Sequence, residues 1–175
     1  MNREKSIRKK KKVLGKQKSV KYSIVCGTEN PASLGCTVYE LEGGETATFF
    51  TANRFHEGHG HIMHGGIISA VMDELMGRST HMAMRTIKQP IVTAGMQINY
   101  KAPLVIGEKY YAFGKVVESE GRCYNIKSII LSEENDIMAE ADGVFVTVTV
   151  AGDDTCEDYK ALDLIELDEN DPTEL

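Results

Sequence analysis

A chain of 175 residues with 42% apolar content has the size and composition of one ordinary globular domain, which excludes a disordered chain and leaves little room for a second full domain. The longest apolar run, around Ile67 to Met72, falls far short of the roughly 20 residues that a membrane span needs. The net charge of −6 hides an asymmetry: residues 1–21 carry ten Lys/Arg and one Glu, residues 152–175 ten Asp/Glu and one Lys.

Blocks of like charge usually stay solvated. We therefore expect a basic, flexible arm over residues 1–21, a folded unit over 22–150 and an acidic tail over 151–175. The arm could touch an anionic partner, or the acidic tail of its own or a neighbouring chain. It is too short for a helix-turn-helix module, and no nucleic-acid partner is expected. The N-terminus lacks the apolar core of a signal peptide. Cys26, Cys36, Cys123 and Cys156 form no CxxC pair, so reduced thiols and a cytoplasmic location are expected.

The first elements along the chain are sparse. Cys26 to Gly35, "CGTENPASLG", is rich in turn residues and predicts a loop. "CTVYELEGGETATFFT" predicts two short strands around Gly43 and Gly44. "NRFHEGHGHIMHGG" has no steady period and predicts a loop. A helix follows, from about Gly65 to His81. At 100° per residue, Ile67, Val71 and Leu75 stack on its apolar side, flanked by Ile68 and Met72. Gly66, Ser69, Asp73 and Gly77 fall opposite, where small side chains permit close approach by a ligand or a second chain.

Everything after the helix reads as sheet. In "IVTAGMQINYKAP", Val92, Ala94, Met96, Ile98 and Tyr100 alternate with Thr93, Gly95, Gln97 and Asn99. Pro103 and Gly107 mark the next turn. Three more strands follow, turning at Glu120-Gly121 and at Glu134-Asn135-Asp136. A lone helix can hide its apolar stripe only if the sheet curls around it. The fold class is α+β: an antiparallel curved sheet of five to six strands wrapped around one long central helix.

The chemistry concentrates between Gly58 and Gly77. His59, His61 and His64 match H-x-H-x-x-H, which tempts a metal reading. Met63 stands where metallo-β-lactamase-type hydrolases need aspartate, and the βα alternation of that fold is missing, so no resident metal is expected. Gly65 and Gly66 begin the helix, so their N–H groups lack intrahelical partners and favour developing negative charge. Asp73 lies two turns on, where a carboxylate can serve as base or nucleophile. The neighbouring Glu74 reads as a solvated polar residue.

The glycine pair, Asp73 and the alternating strand together resemble the hotdog-fold acyl-CoA thioesterases, in the branch related to phenylacetate-pathway and 4-hydroxybenzoyl-CoA thioesterases. "VCGTENPASLG", "FHEGHGHIMHGGIISAVMDELMG" and "TAGMQINYKAPLVIGE" carry the resemblance through most of residues 22–150. The resemblance implies a hotdog fold whose subunits pair into one continuous sheet, as a homodimer or homotetramer with sites at the interface. It implies that the backbone N–H of Gly65 holds the oxyanion while Asp73 of the other subunit acts as the acid residue, with Thr93 assisting. His64 would orient the loop, and His64, Gly66 and His59 would lie against the substrate. Related members carry a water-positioning Asn before the motif; here Glu57, Gly58 and His59 stand there, so Glu57 or His59 would take that part. The activity implied is hydrolysis of an acyl-CoA thioester, with CoA as substrate and no permanent cofactor. The alternative is a non-catalytic acyl-CoA-binding sensor or scaffold.

Overall fold

The structure is a computed structural model and describes residues 4–6, 8–84, 89–149 and 164–175. Cys156 and the acidic tail up to residue 163 lie outside the described residues. One helix, α1 (Gly65–Ala83), packs against an antiparallel sheet. The strands are β1 (Val13–Gln17), β2 (Tyr39–Leu41), β3 (Glu45–Thr51), β6 (Ile91–Tyr100), β7 (Lys109–Glu120), β8 (Cys123–Ser132), β9 (Ile137–Thr147) and β10 (Leu164–Ile165). Their order across the sheet is β10-β1-β2-β3-β7-β8-β9-β6. A separate small hairpin, β4 (Glu57–His59) with β5 (Ile62–Met63), precedes the helix.

The expected turns are present and have physical causes. Gly43 and Gly44 adopt φ of +80° and +76°, the left-handed pair a tight hairpin needs between β2 and β3. Along β2, β3 and β7 the side chains alternate between two apolar clusters. Val38, Phe50, Tyr110 and Ala112 belong to the cluster around Val71, Met72 and Leu75 of the helix. Tyr39, Leu41, Ala47 and Phe113 belong to a second cluster on the other face of the sheet.

The helix lies close to the sheet because two strand positions carry no side chain. A Cβ at Gly114 would sit 2.7 Å from Ser79 Oγ and 2.8 Å from the Leu75 carbonyl oxygen. At Gly143 it would lie 2.5 Å from Met76 Sδ. The buried Thr46 hydroxyl lies 2.8 Å from Ser79 Oγ and 3.1 Å from the Leu75 carbonyl oxygen, and the Ser79 hydroxyl donates to that carbonyl at 2.8 Å. The polar groups brought in by this approach are thereby satisfied.

Two expectations change. The sheet has eight strands rather than five or six, because both chain ends join it. Residues 13–17, expected to be part of a solvated arm, pair with β2 and bury Val13 and Gln17. Residues 164–175 of the acidic tail return to the same edge. Val13 N–H donates to the Thr173 carbonyl at 2.9 Å, and Lys11 and Leu175 exchange backbone bonds of 2.7 and 3.0 Å. Leu167 and Leu175 cover the second apolar cluster. That apolar surface explains why these ends are held. Charge follows the same geometry: Lys16 Nζ reaches Asp168 and Asp171, each at 2.7 Å. Arg8 and Lys11 converge on Glu45, whose carboxyl is driven up by burial yet held lower than its ordinary range by those two cations.

The second correction concerns β6. Its partner register on β9 runs Thr93↔Phe145 and then Gly95↔Val144, so Ala94 is an extra, bulged residue. The strict alternation read from the sequence therefore breaks there. Ile91 and Thr93 face the helix before the bulge; Met96, Ile98 and Tyr100 face it after.

Candidate active site

The start of α1 is built by its flanking residues. His64 is the N-cap, and its Nδ1 accepts the Gly66 N–H at 2.9 Å. A Cβ on Gly66 would approach that nitrogen to 3.0 Å, so the cap itself favours glycine. The Gly65 N–H finds no acceptor among the described residues. Of the two glycines proposed from sequence, only Gly65 therefore offers an uncommitted donor. The Tyr100 hydroxyl lies 2.7 Å from Ser69 Oγ and 3.1 Å from the Gly65 carbonyl oxygen, and the Ser69 hydroxyl donates to that carbonyl at 2.9 Å. Sequence reading did not assign Tyr100 this role, although its place beside Met96 and Ile98 on the alternating strand was the available signal.

The segment before the helix is more ordered than the expected loop. Asn53 caps a short 3-10 turn over Arg54–His56, and His56 is buried. His56 Nδ1 accepts from Asn53 N–H at 3.1 Å, which leaves Nε2 to donate to the Ala32 carbonyl at 3.0 Å. The β4–β5 hairpin turns at Gly60 and His61, both with positive φ. Glu57 Oε1 accepts the His61 N–H at 2.9 Å and steadies that turn. Glu57, His59 and His61 are exposed in the hairpin, whereas the His64 ring is committed to the helix cap.

Asp73 lies two turns further along α1, half-buried in a groove of about 690 Å³. The Thr93 hydroxyl donates to Asp73 Oδ1 at 2.6 Å. One groove wall is Val20, Lys21, Tyr22 and Ser23, and Ile91 and Phe145 stand among the other lining residues. Gly65 and Asp73 are eight residues apart on one helix, about 12 Å along its axis. The sequence-predicted residues thus form two half-sites in a single chain: Asp73 with Thr93, and Gly65 with Gly66 and His64.

Glu74 is not the solvated residue expected from its position. Its Oε1 accepts Arg78 Nε at 2.8 Å and the Cys26 thiol at 3.3 Å. Arg78, buried, also donates to Cys26 Sγ at 3.2 Å and to the Lys18 carbonyl at 2.9 Å. Burial opposes the Arg78 charge, yet Glu74 and Cys26 together hold its pKa above the ordinary value. Cys26, Cys36 and Cys123 are free thiols, and burial pushes the Cys36 thiol up to about 12.

Residues 60–139 match the family model described as the thioesterase superfamily. The core of this chain resembles the thioesterase superfamily in sequence and in fold. A thioesterase superfamily protein of known crystal structure superposes with a TM-score of 0.66 at 21% identity, over 72% of this chain and 60% of that one. This chain thus spans less than two thirds of that relative. Zebrafish thioesterase superfamily member 2 gives a TM-score of 0.61 at 15% identity, over 71% and 90% of the two chains. The E. coli PaaI protein, from the phenylacetic acid degradation operon, gives 0.57 at 16% identity, over 66% and 81%. No curated protein matches by sequence. These structures carry the hotdog fold, so the sheet-around-helix architecture expected from sequence holds, with added strands at the edge formed by the chain ends. No described helix is long and apolar enough to cross a membrane.

Proposed function

We propose that this protein hydrolyses an acyl-CoA thioester to a carboxylic acid and CoA, at sites shared between two copies of the chain. The observation that carries the reading is the pairing of Thr93 with Asp73 in a groove, while the Gly65 N–H has no acceptor among the described residues. Because about 12 Å of helix separates Asp73 from Gly65, a second chain must bring its own Gly65 to face Asp73.

In that arrangement the thioester carbonyl oxygen lies against the second chain's Gly65 N–H, at the positive end of the helix dipole. Asp73, oriented by Thr93, takes a proton from water as the water oxygen bonds to the carbonyl carbon. The oxyanion collapses, the carbon–sulfur bond breaks, and the departing CoA thiolate takes the proton from Asp73. In a direct attack, the Asp73 carboxylate oxygen bonds to the carbonyl carbon as the carbon–sulfur bond breaks and CoA thiolate leaves, and water then hydrolyses the mixed anhydride to the carboxylic acid and free Asp73. Gly66 shapes the close approach, and His64 holds the helix start through its cap. Glu57 and His59, in the hairpin before Gly65, are assigned to positioning water and substrate.

The test is thiol release from a panel of acyl-CoAs. Asp73→Asn is expected to lower kcat by roughly 100-fold or more with the fold intact. Wild-type and variant proteins turning over equally would remove Asp73 from the mechanism. Tight acyl-CoA binding without turnover by the wild type would instead favour a sensor.

A further inference from the structure

Residues 18–23 form a short strap between two anchored segments, and within it residues 20–23 are a wall of the Asp73 groove. Upstream it continues from β1. There the Gln17 N–H donates to the Val38 carbonyl at 2.8 Å, and its buried side-chain amide donates to Glu40 Oε1 and to the Arg78 carbonyl. Lys18 gives its carbonyl to Arg78. Downstream, Val20 and Lys21 accept the backbone N–H groups of Thr28 and Glu29. The strap is thus tied to α1 and to the loop after it, and its entry is set by where β1 lies.

What holds β1 on its outer side is the far end of the chain. β10 pairs Lys16 with Ile165 and Gln17 with Leu164. Lys16 Nζ bridges Asp168 and Asp171, and Asp171 Oδ1 also accepts the Tyr39 hydroxyl at 2.9 Å. A Cβ at Gly15 would meet Leu164 at 2.6 Å, so the two segments fit without space between them. This clasp lies on the sheet edge farthest from β6, and only Lys18 and Ser19 separate it from the groove.

Resting on the thioesterase reading, we infer that the strap over residues 18–23 determines acyl selectivity, and that the clasp between the two chain ends fixes its position. A clamped wall with Tyr22 at the groove limits the bulk of acyl group that fits beside Asp73. A released wall accepts larger groups. The ends of the chain act as a positioning element, and none of their residues touches the reacting atoms.

The experiment compares Lys16→Met, which removes the charge and keeps most of the stem, with Lys16→Arg, which keeps the charge. Amide hydrogen exchange is followed by peptide, and kcat and KM are measured for short, long and aryl acyl-CoAs. In Lys16→Met, exchange across residues 18–23 is expected to accelerate about fivefold relative to α1 and β8. The preference between small and bulky acyl groups should narrow through KM, with kcat for the best substrate unchanged. High salt should reproduce the effect in the wild type, and Lys16→Arg should not show it. Unchanged exchange in the strap, or equal acceleration throughout the molecule, would overturn the inference. So would faster exchange with an unaltered acyl preference. If the wild type releases no thiol, the thioesterase reading fails; the exchange data then still decide whether clasp and strap are coupled.

Discussion

Thr93 on β6 hydrogen-bonds Asp73 on α1 at 2.6 Å, and it does so only because Ala94 is bulged out of the strand. Without the bulge, Thr93 and Met96 would point to opposite faces, and Met96 is packed on the helix side. Thr93→Val should therefore lower kcat by roughly tenfold, the value of one hydrogen bond to a carboxylate, while Thr93→Ser keeps most of it. Steady-state kinetics on any accepted acyl-CoA reads this directly. Equal rates for the valine variant and the wild type would dissociate Thr93 from the Asp73 function.

Arg78 is a buried cation on α1 that pairs with Glu74 one turn before it and ties the helix to Cys26 and the Lys18 carbonyl. Arg78→Met should destabilise the protein by about 3 kcal/mol or more, because Glu74 and the Lys18 carbonyl lose their donor inside the fold. Adding Glu74→Leu should recover part of that loss by removing the stranded carboxylate. Urea unfolding of the single and double variants measures both effects.

At the helix start, His64→Ala removes the acceptor of the Gly66 N–H. The expected cost is about 1 kcal/mol, or roughly 2–4 °C in Tm for a chain of this size. His64→Asn should restore most of it, since asparagine caps well. Thermal scans of the two variants measure the contribution of the cap, and an unchanged Tm in His64→Ala would remove it.

Burial pushes the His81 imidazole down to about 4, with Arg78 reinforcing the shift and Glu74 opposing it. A base with a lowered folded pKa binds its proton first in the unfolded chain. Its contribution is fully present above the ordinary value of 6.5 and is lost as pH falls toward 4. His81→Leu should flatten the fall in stability across that interval. Denaturant midpoints at pH 7, 6 and 5 give the slope, and identical slopes would place the acid sensitivity elsewhere.

The helix, the four long strands after it and the Gly43-Gly44 hairpin were legible in the sequence because local spacing decides them. The position of Asp73 on the small-residue face was legible for the same reason. What escaped depends on residues far apart in the chain. The bulge at Ala94 is a choice of register against β9, invisible to a period of two. Glu74 looked solvated until Arg78 and Cys26 closed around it. Charge alone allowed the basic arm to meet the acidic tail of its own chain, but not that the two ends would form strands over the apolar patch of Tyr39, Leu41 and Phe113. Gly114 and Gly143 gave no pattern either, since their meaning lies in the helix that rests on them.

The two rims of the sheet differ in what they offer another molecule. One ends in β10, two residues long, whereas β6 runs for ten and among the described residues pairs with β9 alone. A like chain adding to β6 by its own β6 consumes the long free ladder of both partners at once. In the paired arrangement proposed above, such addition would stop at two chains along the ladder direction and so would bar growth of a fibre through that edge.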